Sequence, residues 1–423
     1  YDGSVTATMN SSSAVYSGFV NGDDFAASYS GVFANANVGS GKTVTITSSY
    51  AGADVSNYSI TNQTSTTADI TAKALTATAS ASNKVYDGSS AATVTLSLSG
   101  FIGSETVTST NSSTFDNKNV GSNKTVTVNS ITLSNGSNGG LAANYSISAG
   151  QTTTANITAK SLTASASASN KVYDGLTTAT TTLTFSGLVG SETLGQTVAS
   201  TFSDKNVGTG KTVTVDSITL ADGSNGGLAT NYTISTGQTT TANITVKSLT
   251  VSGITASNKT YDSTTSATLG TGAVIYGGKV SGDDFTGSYS GVFADANAGS
   301  GKTVTITSSY SGADVSNYSV TDQSTTTANI TAKALTATAS SSNKVYDGSS
   351  AATVTLSLSG FIGSETVTST NTSTFDNKNV GTGKTVTVNS ITLADGTNGG
   401  LAANYSISAG QTTTANITAK ALT

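Results

Sequence analysis

The sequence predicts an all-β fold, a tandem array of small antiparallel β-sandwich domains, and three observations carry that expectation. The first is a Tyr-Asp motif that returns at a near-constant interval: Tyr1-Asp2-Gly3, Tyr86-Asp87-Gly88, Tyr173-Asp174-Gly175, Tyr261-Asp262-Ser263 and Tyr346-Asp347-Gly348. The steps are 85, 87, 88 and 85 residues, each a whole small domain, since solenoid repeats run to only about 20–50 residues. The second is strict alternation of apolar with Thr or Ser, as in Ala92 to Ser99, which puts one face of a strand inward. The third is the lack of any convincing helical period between clusters of Gly and Asn.

An Ile-Thr-x-Lys tail closes each unit and Ala-Leu-Thr or Ser-Leu-Thr opens the next. The expected domains are 1–73, 74–160, 161–247, 248–333 and 334–420, with 421–423 the first letters of a sixth. Unit one lacks the opening segment that unit two carries before its Tyr-Asp (Leu75 to Val85), so the sequence reads as a window on a longer array. Units one and two recur almost letter for letter as units four and five, 260 residues on, so the larger copied block is three domains.

Within unit two the elements follow in order. Leu75, Ala77, Ala79 and Ala81 alternate with Thr and Ser as a first strand, and Tyr86-Asp87-Gly88 reads as an Asx-turn. Ala92 to Ser99 is a second strand, and strands follow around Val126–Val128, Tyr145–Ile147 and Ala155–Ile157, with Asn135 to Gly140 as a loop. Val126 and Val128 have the opposite parity to Ile131 and Leu133, which predicts a bulge near Asn129-Ser130. Ile157 and Leu162 differ in parity too, which predicts a kink at the domain joint across Lys160. No Gly/Ser or Pro-rich linker separates units, so neighbours have little freedom. Units roughly 30 Å across would then form an elongated rod of at least about 150 Å.

Composition narrows the chemistry. With no Cys or His, disulfides, thiolate zinc sites and His-dependent triads are excluded. Net charge is −5 and only 10 % of residues are charged, a poor footprint for nucleic acid. No apolar run approaches the roughly 20 residues of a membrane helix, so no membrane span is expected here. A surface of Thr, Ser, Asn and Gly repels its neighbours weakly, which suits a chain that associates into fibres.

Three features recur in order. They are Asn-Lys-Val-Tyr-Asp-Gly (Asn83 to Gly88, Asn170 to Gly175, Asn343 to Gly348), Phe-x-x-x-Asn-Val-Gly-x-x-Lys-Thr-Val-Thr (Phe115 to Thr127, Phe202 to Thr214, Phe375 to Thr387, with related stretches at Phe33 and Phe293), and Asn-Tyr-x-Ile/Val at Asn57, Asn144, Asn231, Asn317 and Asn404. On these motifs the whole chain resembles the YDG and MBG repeat domains of large bacterial surface proteins, often found beside filamentous-haemagglutinin-type secretion domains. The resemblance implies Ig-like extracellular modules of an adhesin or fibre, and it supplies no catalytic residues. Ser263 replaces the usual Gly, so either the turn there needs no obligatory positive φ or unit four differs locally.

Several motifs invite sharper readings. Asp87 with Asp116 or Asn119 could begin a calcium site, but it lacks an EF-hand-like run of acids. Gly210-Lys211-Thr212 opens a strand, not the helix that a phosphate loop needs. Thr43-Val-Thr45-Ile-Thr47 is the pattern of any half-buried strand, which also accounts for its likeness to an ice-binding row. Asn57, Asn144, Asn156, Asn231, Asn243, Asn317, Asn329, Asn404 and Asn416 sit in Asn-x-Ser/Thr sequons, but Asp69 stands where Asn156 does, which favours a structural Asn. An isopeptide staple would require the recurring acids Asp24, Glu105, Glu192, Asp284 and Glu365 to meet the recurring Lys42, Lys124, Lys211, Lys302 and Lys384.

The sequence therefore leads to expectations of no catalytic, cofactor-binding or metal residues, no cofactor and no enzyme activity. The expected role is a structural stalk in a secreted bacterial surface adhesin, extracellular, giving reach and self-association for cell adhesion or biofilm. The alternative is a glycan- or host-protein-binding module, with the charged Asp23-Asp24 and Asp283-Asp284 units its better candidates.

Overall fold

A computed structural model describes all residues, 1–423. The chain is all-β; its helical turns are five three-residue 3-10 turns, each ending at the Asn of an Asn-Tyr pair. It divides into two compact units, Tyr1–Ser167 with Thr181–Ala199 and Val215–Gln238, and Ala168–Thr180 with Ser200–Thr214 and Thr239–Thr423.

Repeat 2 shows the plan. One sheet pairs Thr76–Ala81 antiparallel with Val94–Ser99, setting Ala79 opposite Leu96. The other runs in the order Lys84–Val85, Thr152–Thr158, Gly121–Asn135, Val107–Phe115. Ala79 and Leu96 of the first sheet pack on Val126, Val128 and Phe115 of the second, so alternate residues do turn inward and the outer faces keep Thr and Ser. The ladders are antiparallel with two short exceptions. Lys84–Val85 runs parallel to Ile157–Thr158, and Lys73–Ala74 runs parallel to Tyr145–Ser146. Both lie in the opening stretch of the repeat, and Lys84–Val85 joins the other sheet because the chain crosses over around Ser82-Asn83.

The predicted bulge is present: the register of Gly121–Asn135 against Val107–Phe115 shifts between Val128 and Ser130. The extra residue turns Val128 toward the Phe115 end of the core and Leu133 toward Leu75 and Val107. The predicted break at the joint is also present, for Thr152–Thr158 ends and Lys160–Ala168 begins in a different sheet. Gly140 is required by close approach, since a Cβ there would stand 1.9 Å from the Thr106 carbonyl oxygen.

The buried clusters cross the sequence boundaries between repeats. Tyr86, Phe115, Val126 and Ile157 of repeat 2 share a cluster with Leu162 and Tyr232 of repeat 3. Tyr173, Phe202 and Ile244 share one with Leu249, Phe285 and Tyr318, and Tyr261, Phe293 and Ile330 with Leu335, Val367 and Tyr405. At Ser263 the turn does keep a positive φ: it is +63°, in line with +80° at Gly88 and +81° at Gly175, so the turn keeps its left-handed residue even where a Cβ makes it costly.

Candidate functional site at the repeat joints

The Tyr-Asp-Gly turn places each residue differently. Asp87 accepts the Ser89 amide at 2.9 Å and the Lys84 ammonium at 2.8 Å, an Asx-turn pinned by a lysine that also bonds the Ser89 and Ala91 carbonyls. The same arrangement recurs at Asp174, Asp262 and Asp347. The glycine lets the turn touch the next repeat: a Cβ on Gly88 would meet Val189 at 2.7 Å, and one on Gly175 would meet Val280 at 2.8 Å. The tyrosine crosses the joint.

Tyr86 is 1 % exposed. Its hydroxyl donates to Glu192 Oε1 at 2.6 Å, and Tyr232 donates to Glu192 Oε2 at 2.6 Å. The two rings meet edge to face at 5.4 Å, a favourable aromatic geometry. Lys118 Nζ lies 3.2 Å from Glu192 Oε1 and 6.0 Å from the Tyr86 ring, so it closes the cluster by charge and by cation–π attraction. Beside it Asn231, fully buried, accepts the Val120 amide at 2.9 Å and donates to Asn119 Oδ1 at 3.1 Å.

The two tyrosines, the acid and the asparagine recur at all four joints. Tyr1 and Tyr145 hold Glu105, and Tyr261 and Tyr405 hold Glu365. Tyr173 and Tyr318 hold Asp283, which is joined by Asp314 and Lys205, the latter 2.8 Å from Asp314. The buried asparagines Asn144, Asn317 and Asn404 accept the amides of Val38, Val207 and Ala298.

The electrostatics follow from this packing. Burial would push the Glu192 carboxyl up, but hydrogen bonds from Tyr232 and Tyr86 and the Lys118 charge outweigh it and hold the group below the usual carboxylate range. Burial, reinforced by the carboxylate each one faces, raises Tyr232, Tyr261 and Tyr318 to about 12. Lys205 is pushed up chiefly by its bond to Asp314.

The other motifs resolve locally. Asp116 pairs with Lys124 at 2.8 Å and Asp87 with Lys84, so separate lysines hold the two acids proposed for calcium. Asn119 is engaged by Asn231. The isopeptide set is not brought together: Lys211, Lys302 and Lys384 pair with Asp204, Asp295 and Asp376, and Lys42 bonds Asn35. The acid equivalent to Glu105 in repeats 1 and 4 is Asp23 or Asp283, while Asp24 and Asp284 accept the Ala53 and Ala313 amides. With adjacent acids the sequence gives no ground for choosing between them, and the tyrosine partner decides. Of the sequons, Asn144, Asn231, Asn317 and Asn404 are buried in the joints. Asn156, Asn243, Asn329 and Asn416 each accept a loop amide that Asp69 accepts in repeat 1.

A cavity of about 580 Å³ in repeat 1 is lined by Tyr16, Phe25, Tyr29, Tyr50 and Tyr58. In repeat 4 the matching rings, Tyr276, Phe285, Tyr289, Tyr310 and Tyr318, pack against Leu249 and Val251 from that repeat's own first strand. No helix is long and apolar enough to cross a membrane.

Tyrosine, turn and joint recur in step with a family signature. The YDG domain matches five times, over residues 1–68, 71–155, 158–242, 245–328 and 331–415. The chain belongs to the YDG domain family, as a run of tandem repeats. No curated protein matches. Among solved structures it is similar to the I9–I11 tandem from titin, at 11 % identity and a TM-score of 0.17, over 61 % of this chain and 98 % of that one.

Proposed function

We propose that these repeats are the shaft of a secreted bacterial surface adhesin, a spacer whose work is reach and self-association for adhesion or biofilm. The observation that carries this reading is the joint. The same tyrosines, acid and asparagine recur four times between repeats that no flexible linker separates. A device that fixes each repeat to the next serves load and spacing, whereas a lone binding module has no use for it. The uncharged Thr/Ser faces let similar repeats of neighbouring chains lie side by side through many weak contacts.

The rival reading, recognition of a glycan or host protein, leaned on the Asp-Asp-Phe units. In repeat 4 Asp283 is 7 % exposed and bonded to two tyrosines, so it is withdrawn from any ligand. Electron microscopy of the intact chain tests the proposal. Particles of one contour length that bundle as concentration rises support it; collapsed or freely jointed threads overturn it.

A further inference from the structure

The four joints are not chemically equal. At the joints from repeat 2 to 3 and from 3 to 4, a lysine reaches the shared carboxylate. Lys118 lies 3.2 Å from Glu192, and Lys205 lies 3.3 Å from Asp283 and 2.8 Å from Asp314. At the joints from 1 to 2 and from 4 to 5, the position of that lysine is Ala36 or Ala296, and the acids Glu105 and Glu365 have tyrosine donors alone. Burial tracks this difference. Glu192 and Asp283 are both 7 % exposed, whereas Glu105 and Glu365 are only half-buried. The lysine stem covers the acid and the ring as well as neutralising charge, with Nζ 6.0 Å and 5.9 Å from the Tyr86 and Tyr173 centroids.

We infer that the array carries two grades of joint in a fixed order, lysine-locked and unlocked, with one unlocked joint in each three-repeat block. The Lys-to-Ala choice sits in the copied block itself, so Ala36 and Ala296 stand 260 residues apart. Yielding is thereby confined to regular sites. Under load or heat the chain opens first at the unlocked joints, between repeats 1 and 2 and between repeats 4 and 5, while 2–3 and 3–4 hold. This inference does not depend on the adhesin proposal, because it concerns only the relative strength of joints in this chain.

Each joint contains its own reporter, the amide donated to the buried asparagine: Val120 to Asn231, Val207 to Asn317 and Ala298 to Asn404. The test is native-state hydrogen exchange on the intact chain, with protection factors measured for these three amides. Val120 and Val207 are expected to be protected about five-fold more than Ala298, the scale of one partly buried ion pair acting on local opening. Lys118→Ala, at a residue whose side chain is 40 % exposed, brings Val120 down to the Ala298 level and leaves Ala298 unchanged. Ala296→Lys raises Ala298 toward the others. Protection equal within two-fold at all three amides overturns the inference. So does a Lys118→Ala variant in which Val120 does not move.

Discussion

Tyr86 Oη stands 2.6 Å from Glu192 Oε1 although 106 residues separate them. That bond ties the turn naming the family in one repeat to a loop of the next, and it explains why a tyrosine, and not merely a large apolar residue, begins the motif. The ring fills the shared core while the hydroxyl satisfies a buried acid that would otherwise be costly.

Tyr86→Phe keeps the ring and removes the donor. One oxygen of Glu192 then loses a charge-assisted bond, at a cost of about 1.5–3 kcal/mol. The loss should appear as faster hydrogen exchange at Val120, with the amides of repeat 5 unchanged. A variant as protected as the parent would show that the bond contributes nothing.

Asn231→Ala should cost about 1 kcal/mol at the same joint, because the half-buried Val120 amide is left without its acceptor. Asn231→Asp restores the acceptor but loses the donor to Asn119 and adds a buried charge, so it should not rescue. Protection factors at Val120 separate the two variants.

Acid should loosen the joint between repeats 2 and 3. The folded Glu192 carboxyl lies below its ordinary 4.5, so its contribution is complete above that value and is lost as pH falls through the depressed folded value. Alkali acts through the tyrosines. Tyr232 is raised from 10.0 to about 12, so its contribution is complete below 10 and is lost as pH rises through 12. Joint protection measured against pH should therefore form a plateau that falls off on both sides.

Ser263→Gly should stabilise repeat 4 by about 1 kcal/mol, since Ser263 holds a left-handed φ of +63° that glycine adopts without strain. The reverse change, Gly175→Ser, should be worse than a φ penalty alone, because its Cβ meets Val280 at 2.8 Å. Thermal melting of each variant gives the sign directly.

The strands were legible because alternation is a local signal. The parity change from Val128 to Ile131 located the bulge, and the one from Ile157 to Leu162 located the break at the joint. The joint chemistry was not legible, because Tyr86 and Glu192 lie in different repeats and no pattern inside one repeat links them. A signal did exist. The tyrosine and the next repeat's acid keep a separation of 104 to 110 residues at all four joints, longer than one repeat, which a search confined to a single unit passes over. The shared cores were not legible for the same reason, since alternation within one repeat does not show which residues pack across its boundary.

Each repeat bears Tyr and Asn at one end and an acid with Asn-Tyr at the other, so any copy inserted into the series arrives with both halves of its fastening. Lengthening by duplication requires no new complementary surface to evolve, whereas excision at an arbitrary residue strands half of two cores. The chemistry of the seam thus makes whole-copy gain the path of least resistance for this lineage.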